Sequence, residues 1–149
     1  MRAFEIQGSF GLDNLRLTER SDPVPGPGQV LLKMRSASLN YRDLLMVRGH
    51  YNPRQPLPLI PCSDGVGVVT AVGEGVSRVS VGDRVASCFF QTWIGGPPAA
   101  GKLAGTLGGP LDGMLAEQVV LSEDGVVPAP EHLSDVEAAT LPCAALTAW

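Results

Sequence analysis

The sequence is poor in several kinds of residue, and each shortage excludes a class of protein. Only three cysteines are present, Cys62, Cys88 and Cys143, and their wide spacing predicts neither a disulfide framework nor a Cys-x-x-Cys zinc site. Lysine and arginine are scattered and the net charge is -4, which argues against nucleic acid or an anionic membrane as a partner. No apolar run reaches membrane-spanning length and no signal-peptide pattern is present, so we expect a cytoplasmic location.

The remaining composition is typical of a turn-rich β domain. With 149 residues, 44% of them hydrophobic, the chain is long enough for one domain with its own core. Glycine (18) and proline (13) are frequent, whereas aromatic residues make up only 5%, and this balance favours strands and turns. Apolar alternation and short apolar runs between turn signals predict strands at residues 2–7, 14–19, 29–37, 65–73, 84–87, 114–121 and 125–128.

The first two of these strands should pair as a hairpin. Residues 91–113 are rich in glycine and proline and have no sustained periodicity, so we predict a long loop there. Near the C-terminus, Ser134 and Glu137 have the spacing of a capping box that begins a helix. Pro142 is predicted to interrupt this helix, and residues 143–149 to begin a second, apolar one. Because the chain stops inside that second helix, we expect it to be a fragment of a longer protein.

The chemistry is expected in the polar stretch of residues 38–51, which follows the strand at 29–37. Asn40 can cap a short helix, with Asp43 in its favourable first turn, and Gly49 is predicted to end it. A second polar pair, Ser63 and Asp64, stands at the edge of the apolar strand 65–73. These positions would hold polar side chains on fixed backbone at the mouth of a cleft.

Several short motifs, each weak alone, together resemble one known family. They are residues 25–32 (PGPGQVLL), 38–45 (SLNYRDLL), 58–67 (PLIPCSDGVG), 72–76 (VGEGV), 81–85 (VGDRV), 109–117 (GPLDGMLAE) and 138–149 (AATLPCAALTAW). In this order they resemble the N-terminal, GroES-like catalytic domain of a medium-chain dehydrogenase/reductase. The similarity is to its zinc-independent, quinone-oxidoreductase-like branch, whose members are often called zinc-type alcohol dehydrogenase-like proteins.

The resemblance implies a mainly β fold, a GroES-like partly open β-barrel with short helices. It implies that residues 1–134 form the catalytic, substrate-binding domain, and that residues 135–149 start the helical connection to a C-terminal Rossmann domain absent from this chain. That domain would bind NADP or NAD, with NADPH favoured, and the full-length protein would be a homodimer. No Gly-x-Gly-x-x-Gly stands between a strand and a helix in this sequence.

The resemblance also bears on metal binding. The positions similar to the catalytic zinc ligands of zinc-dependent relatives are Asn40, Ser63 with Asp64, and Cys143. Zn²⁺ is normally held by about three thiolate, imidazole or carboxylate ligands, and an amide and a hydroxyl replace two of them here. Cys88 alone stands where a structural zinc lobe would need four cysteines. We therefore expect no zinc and assign no metal ligands.

By resemblance, Tyr51 is the leading candidate to donate a hydrogen bond to a substrate oxygen. Asn40 and Tyr41 would be further catalytic residues that face nicotinamide or substrate, and Asn40 and Thr147 would contact the cofactor. Ser63 and Asp64 would line the substrate pocket with Tyr51. Structural alternatives stay open for each: a helix cap for Asn40, simple packing for Tyr41, a surface loop position for Tyr51, and ordering of the loop-to-strand transition for Ser63 and Asp64.

The function implied is hydride transfer from NADPH to a small-molecule carbonyl, enone or quinone without zinc. The alternatives are a zinc-dependent alcohol dehydrogenase and a GroES-like binding or structural domain with no catalytic role. Two residues depart from the family pattern, since Cys62 and Ala145 stand where the branch often has glycine. Either substitution is expected to narrow the pocket.

Overall fold

An N-terminal hairpin begins the fold. The computed structural model describes residues 1–149. Strands β1 (Arg2–Ile6) and β2 (Leu15–Glu19) pair antiparallel, as the sequence predicts, and a 3₁₀ turn at Leu12–Asn14 precedes β2. The hairpin is tied to the rest of the chain by isolated bridges from Ala3 to Ala116 and from Ile6 to Leu59.

A five-stranded antiparallel sheet forms the body of the molecule. Its strands are β3 (Gln29–Ser38), β4 (Asp64–Val72), β5 (Arg84–Ser87), β6 (Gln118–Ser122) and β7 (Val126–Pro128). Their order across the sheet is β6-β3-β4-β5-β7. The sheet does not close on itself, so the GroES-like arrangement is an open one, as expected.

The core lies on one face of this sheet. Val30 and Leu32 alternate with more exposed residues along β3 and are fully buried, which is the two-residue period of a strand with one face in a core. Residues from β4, β5 and β6 join them, among them Val69, Val85 and Leu121. Cys62 belongs to the same core cluster.

Four short helices accompany the strands: α1 (Tyr41–Val47), α2 (Ala100–Leu103), α3 (Asp135–Ala138) and α4 (Leu146–Ala148). Met46 and Val47 of α1 pack with Ile6 and Leu59 in a separate apolar cluster, which anchors α1 beside the hairpin. No helix combines the length and the apolar character that crossing a membrane requires.

Two predictions about local structure were wrong. The segment 91–113 is not entirely loop, because it contains α2. The strand predicted at 114–121 is regular only from Gln118, because the preceding residues change partner: Met114 N donates to Cys62 O at 2.9 Å, Phe4 N donates to Leu115 O at 2.9 Å, and Glu117 N donates to Arg2 O at 3.0 Å. Such a switch between neighbours leaves no continuous ladder.

The predicted break between two helices is present, but it comes before Pro142, because α3 ends at Ala138. Pro142 lies in the first turn of the next helical segment, the π-helical Leu141–Ala145, which continues directly into α4. A proline is tolerated there because the first N–H groups of a helix have no acceptor within it. The capping box at Ser134 is confirmed, with Glu137 Oε2 accepting from the Ser134 N–H at 2.9 Å.

Candidate functional site

The head of α1 holds the first predicted site residue. Asn40 is the N-cap residue of α1, and Asp43 Oδ2 accepts a hydrogen bond from the Asn40 N–H at 2.8 Å. The Asn40 side-chain Nδ2 is buried and has no partner within the chain. Gly49 has a φ of 72°, the left-handed conformation that ends a helix, as predicted. The Asp43 carboxylate therefore caps the start of α1, and the buried Nδ2 of Asn40 has no hydrogen-bond partner within the chain.

Asp64 uses both of its carboxylate oxygens in hydrogen bonds within the chain. It is fully buried at the start of β4. Its Oδ1 accepts a hydrogen bond from the Ser63 hydroxyl at 2.6 Å, and its Oδ2 accepts from the Cys143 N–H at 2.9 Å. Asp64 thus connects β4 to the helical segment that contains Cys143, and the structure brings the adjacent Ser63 and Asp64 next to a residue 79 positions away in sequence.

The electrostatics of this region disfavour some charged forms. Burial raises the pKa of the Asp43 carboxyl, and nearby Asp64 raises it further. Burial and Asp64 also raise the pKa of the Cys143 thiol, although a hydrogen bond involving Thr147 acts in the opposite direction. The pKa of the Cys62 thiol is raised for the same main reason, burial. The thiols are consequently held in their neutral form near neutral pH.

Arg42 joins a second part of the site. Its guanidinium carbon lies 4.8 Å from the centre of the Tyr51 ring and 4.9 Å from that of the Phe89 ring. Nη1 and Nη2 donate to the carbonyl oxygens of Leu107 and Gly109, at 3.0 and 2.9 Å. Tyr51 itself is 52% exposed. One arginine therefore links α1 to the predicted catalytic tyrosine and to two separate loops.

An apolar groove of about 470 Å³ lies beside these residues. Aromatic side chains and the C-terminal helical segment share its lining, which includes Phe89, Phe90, Trp93, Leu141 and Leu146. Phe90 stacks edge to face with Phe89 and with Trp93, with ring centres 4.8 and 5.3 Å apart. Such a surface suits an apolar group better than a charged one.

The predicted site residues are thus only partly assembled. Ser63 and Asp64 touch each other and the segment of Cys143 and Thr147, whereas Tyr41 is 74% exposed at the first turn of α1 and Thr147 is exposed on α4. Cys62 does not narrow a pocket as expected, because its side chain is buried in the core, 1% exposed.

Sequence reasoning missed Arg42 and Phe89. A signal for Arg42 was present, because residues four apart lie on one face of a helix and Arg42 is four residues before the buried Met46. Phe89 had no comparable signal, since it follows β5 in an irregular segment. The structure contains no group of three or more His, Cys, Asp or Glu side chains placed to hold a metal ion.

The open antiparallel sheet, the hairpin and a polar site at the start of β4 define a GroES-like domain of the kind found in oxidoreductases. Residues 26–131 match the family model of the alcohol dehydrogenase GroES-like domain. The chain belongs to this family, and the resemblance inferred from its motifs is confirmed.

Similar proteins include a zinc-bound alcohol dehydrogenase and a quinone oxidoreductase. A zinc-type alcohol dehydrogenase-like protein of Schizosaccharomyces pombe is 44% identical over 93% of this chain and 40% of its own length. The cobalt- and zinc-bound thermostable alcohol dehydrogenase of Pyrobaculum aerophilum is 35% identical with a TM-score of 0.86, over 100% of this chain and 46% of that one. The quinone oxidoreductase of Coxiella burnetii is 28% identical with a TM-score of 0.78, over 99% and 43%. The chain thus spans less than half of these relatives.

Proposed function

We propose that this chain is the substrate-binding part of an oxidoreductase that transfers hydride from NADPH to a carbonyl, enone or quinone without zinc. The observation that carries the proposal is the state of Asp64. Both of its carboxylate oxygens are already hydrogen-bonded within the chain, to Ser63 and to the backbone of Cys143. This arrangement makes the region a structural junction rather than a set of free metal ligands.

The residues present do not fit a catalytic zinc ion. Asn40 offers a neutral amide, and the Ser63 hydroxyl is engaged as a donor to Asp64. Cys143 is the only one of these positions that could supply a thiolate ligand. An amide, a hydroxyl and a single cysteine are a poor match for the tetrahedral nitrogen and sulfur ligands that zinc prefers. The proposed reaction therefore uses no metal ion.

The residues do fit a nicotinamide cofactor at the head of α1. The buried Nδ2 of Asn40 has no acceptor in the chain, and an unpaired buried donor is costly unless a ligand satisfies it. Asn40 would orient the ring by donating this hydrogen bond, and Thr147, exposed on α4, would be a further contact. When bound, NADPH supplies the hydride, and the protein supplies orientation and polar contacts.

Tyr51 is the proposed donor to the substrate oxygen. Hydride addition places negative charge on that oxygen, and a positioned hydroxyl donor stabilises the charge. Tyr51 is half exposed, so its hydroxyl can meet a substrate, while the neighbouring groove would hold the substrate's apolar part. Tyr41, exposed at the first turn of α1, would contribute a second polar contact, and Ser63 and Asp64 would shape the floor of the pocket.

The proposed activity also requires parts beyond residues 1–149. All strand pairs in the main sheet are antiparallel, so a parallel nucleotide-binding sheet would belong to a C-terminal Rossmann domain. We propose that residues 1–134 are the catalytic domain, and that residues 135–149 lead into that Rossmann domain. We further propose a homodimer that works in the cytoplasm.

The test uses the full-length protein. NADPH oxidation is followed with a panel of quinones, enones and aldehydes, with and without a chelator, beside an assay of bound metal. We expect chelator-resistant turnover by metal-free protein, and a fall in kcat of roughly 10²-fold or more for Tyr51→Phe, the scale of removing one donor to a developing oxyanion. Ser80→Ala, which removes an exposed hydroxyl elsewhere, is the control.

Other outcomes select the alternatives. Chelator-sensitive turnover with bound zinc would favour a zinc-dependent alcohol dehydrogenase, for which the zinc-bound relative from Pyrobaculum aerophilum is a precedent. Neither turnover nor dinucleotide binding would favour a non-catalytic binding domain. Turnover that ignores Tyr51→Phe would leave the reductase in place and remove Tyr51 from its mechanism.

A further inference from the structure

Arg42 is an unusual residue for a domain of this size because its charged side chain is almost entirely enclosed. Only 10% of the side chain is exposed, and charged side chains are rarely buried so deeply unless they are paired. The one nearby carboxylate, Asp43, lies 4.0 Å away between Nη1 and Oδ1, which is too long for a hydrogen bond. The burial of this charge must therefore be compensated in another way.

The compensation comes from two carbonyl groups and two aromatic rings. The Nη atoms donate to Leu107 O at 3.0 Å and to Gly109 O at 2.9 Å. The rings of Tyr51 and Phe89 lie within 5 Å of the guanidinium carbon, inside the range of a cation–π interaction. Nε is buried and has no partner.

These contacts join four separate stretches of chain. Arg42 is on α1, Tyr51 follows α1, Phe89 follows β5 and lines the apolar groove, and Leu107 and Gly109 belong to a buried part of the long connection before β6. Tyr51 is half exposed. An exposed tyrosine in a loop would otherwise sample several rotamers, whereas the guanidinium gives its ring a fixed partner.

We propose that Arg42 is a positioning residue that orients the Tyr51 hydroxyl and the Phe89 ring toward a shared substrate site. This inference rests on the proposed reductase function. In this proposal Arg42 does not contact the substrate itself: only 10% of its side chain is exposed, and each Nη atom already donates one hydrogen bond to a backbone carbonyl. It acts through Tyr51, whose ring shares the Arg42 guanidinium with the ring of Phe89, and Phe89 in turn lines the groove proposed to receive the apolar part of the substrate.

The inference depends on the shape of arginine. A planar guanidinium can offer donors along its edge while its π-face meets an aromatic ring, and a lysine ammonium cannot reproduce that combination. Arg42→Lys should therefore keep the positive charge but lose most of the orientation. Arg42→Met removes both the charge and the two hydrogen bonds.

The kinetic test is a double-mutant cycle on the full-length protein with the best substrate of the quinone, enone and aldehyde panel. Arg42→Met should lower kcat roughly 10- to 10²-fold, the cost of misplacing a catalytic group by about 1 Å. In a Tyr51→Phe background the same change should cost no more than about twofold, because the hydroxyl that it orients is already absent. Arg42→Lys should fall between wild type and Arg42→Met, and Arg16→Met, on an exposed strand of the hairpin, should have no effect.

A spectroscopic test does not depend on activity. The 149-residue chain contains only two tyrosines, Tyr41 and Tyr51, so fluorotyrosine labelling gives two ¹⁹F resonances, which Tyr41→Phe assigns. Arg42→Met or Arg42→Lys should move and sharpen the Tyr51 signal and leave that of Tyr41 unchanged, with Arg16→Met as control. Arg42→Lys serves if Arg42→Met fails to fold.

The outcomes separate the inference from the proposed function. A Tyr51 resonance that ignores both Arg42 variants, or equal kinetic costs of Arg42→Met in the two backgrounds, would overturn the positioning role. If the wild-type protein has no reductase activity, the proposed function is wrong and the positioning of a catalytic hydroxyl is lost with it. The ¹⁹F spectrum then decides only whether Arg42 orders the Tyr51 ring.

Discussion

Replacing Asp64 should weaken the connection between the sheet and the C-terminal helical segment. Its carboxylate accepts from the Ser63 hydroxyl at 2.6 Å and from the Cys143 N–H at 2.9 Å, at a position that is fully buried. Asp64→Ala removes both acceptors at once. Asp64→Asn keeps one acceptor oxygen and replaces the other with an amide NH₂, which cannot accept from either donor.

The size of the effect follows from these two hydrogen bonds. A hydrogen bond to a charged group contributes about 1.5–3 kcal/mol, so two of them set an upper limit of roughly 3–6 kcal/mol. Removing a buried carboxylate also relieves its own desolvation cost, which reduces the net loss. We expect about 2–4 kcal/mol for Asp64→Ala, from two orphaned donors. For Asp64→Asn we expect about 1–3 kcal/mol, because the Ser63 hydroxyl can rotate toward the remaining oxygen while the Cys143 N–H stays unpaired.

The assay is urea unfolding of the 149-residue chain, followed by far-UV circular dichroism and analysed for the free energy of unfolding. Asp13→Asn, at an exposed position of the 3₁₀ turn, is the control and should change the free energy of unfolding by less than about 0.5 kcal/mol. The reasoning fails if Asp64→Ala costs no more than this control, or if Asp64→Asn costs more than Asp64→Ala.

Two further predictions concern the framework of the site. Gly113→Ala should destabilise the chain by about 1–3 kcal/mol, since a Cβ there would lie 2.0 Å from Cys62 O, whereas Gly95→Ala meets nothing within 4 Å; thermal unfolding of both variants checks the contrast. For Glu5, burial alone would raise the pKa, but hydrogen bonds from Gln7 and Arg20 outweigh it and the pKa is lowered. Glu5 therefore stabilises the fold at pH above the ordinary glutamate pKa of 4.5, and this contribution is lost as the pH falls through its lower pKa in the folded state. The destabilisation caused by Glu5→Gln should be greatest near neutral pH and should shrink in acid. Urea unfolding across a range of pH measures it.

The sequence was sufficient to predict most of the regular structure, for physical reasons. The alternation of the buried Val30 and Leu32 with less buried neighbours reflects a strand with one buried face, and that strand is present as β3. The Ser134 capping box is likewise local, because its two residues, Ser134 and Glu137, lie three positions apart and can be recognised from the sequence. Local signals of this kind do not depend on distant parts of the chain, so they survive folding unchanged.

The structural features that the sequence did not predict are those determined by contacts between residues far apart in the chain. Residues 113–117 have the apolar character of a strand, yet they pair in turn with the hairpin, with residues 60–62 and with β3. No local pattern reports which partner an amide will find. The helical spacing hinted that Arg42 is buried, but no local pattern reports its partners, because they are Tyr51, Phe89 and two carbonyls that lie up to 67 residues away in sequence.

The backbone around Cys62 explains why the site depends on such distant contacts. Cys62 has a φ of 73° and is the one non-glycine residue with positive φ in the structure, a conformation that glycine adopts without steric cost. The family commonly has glycine there, by the resemblance noted above, and the conformation accounts for that preference without any role in substrate size. Gly113 lies against the backbone carbonyl of Cys62, so close that a Cβ added at position 113 would be 2.0 Å from Cys62 O. The turn at Cys62, packed against Gly113, fixes the direction in which the chain enters β4, and this direction aims Asp64 at the Cys143 N–H. The chemistry of the site is therefore set by backbone shape as much as by the polar side chains.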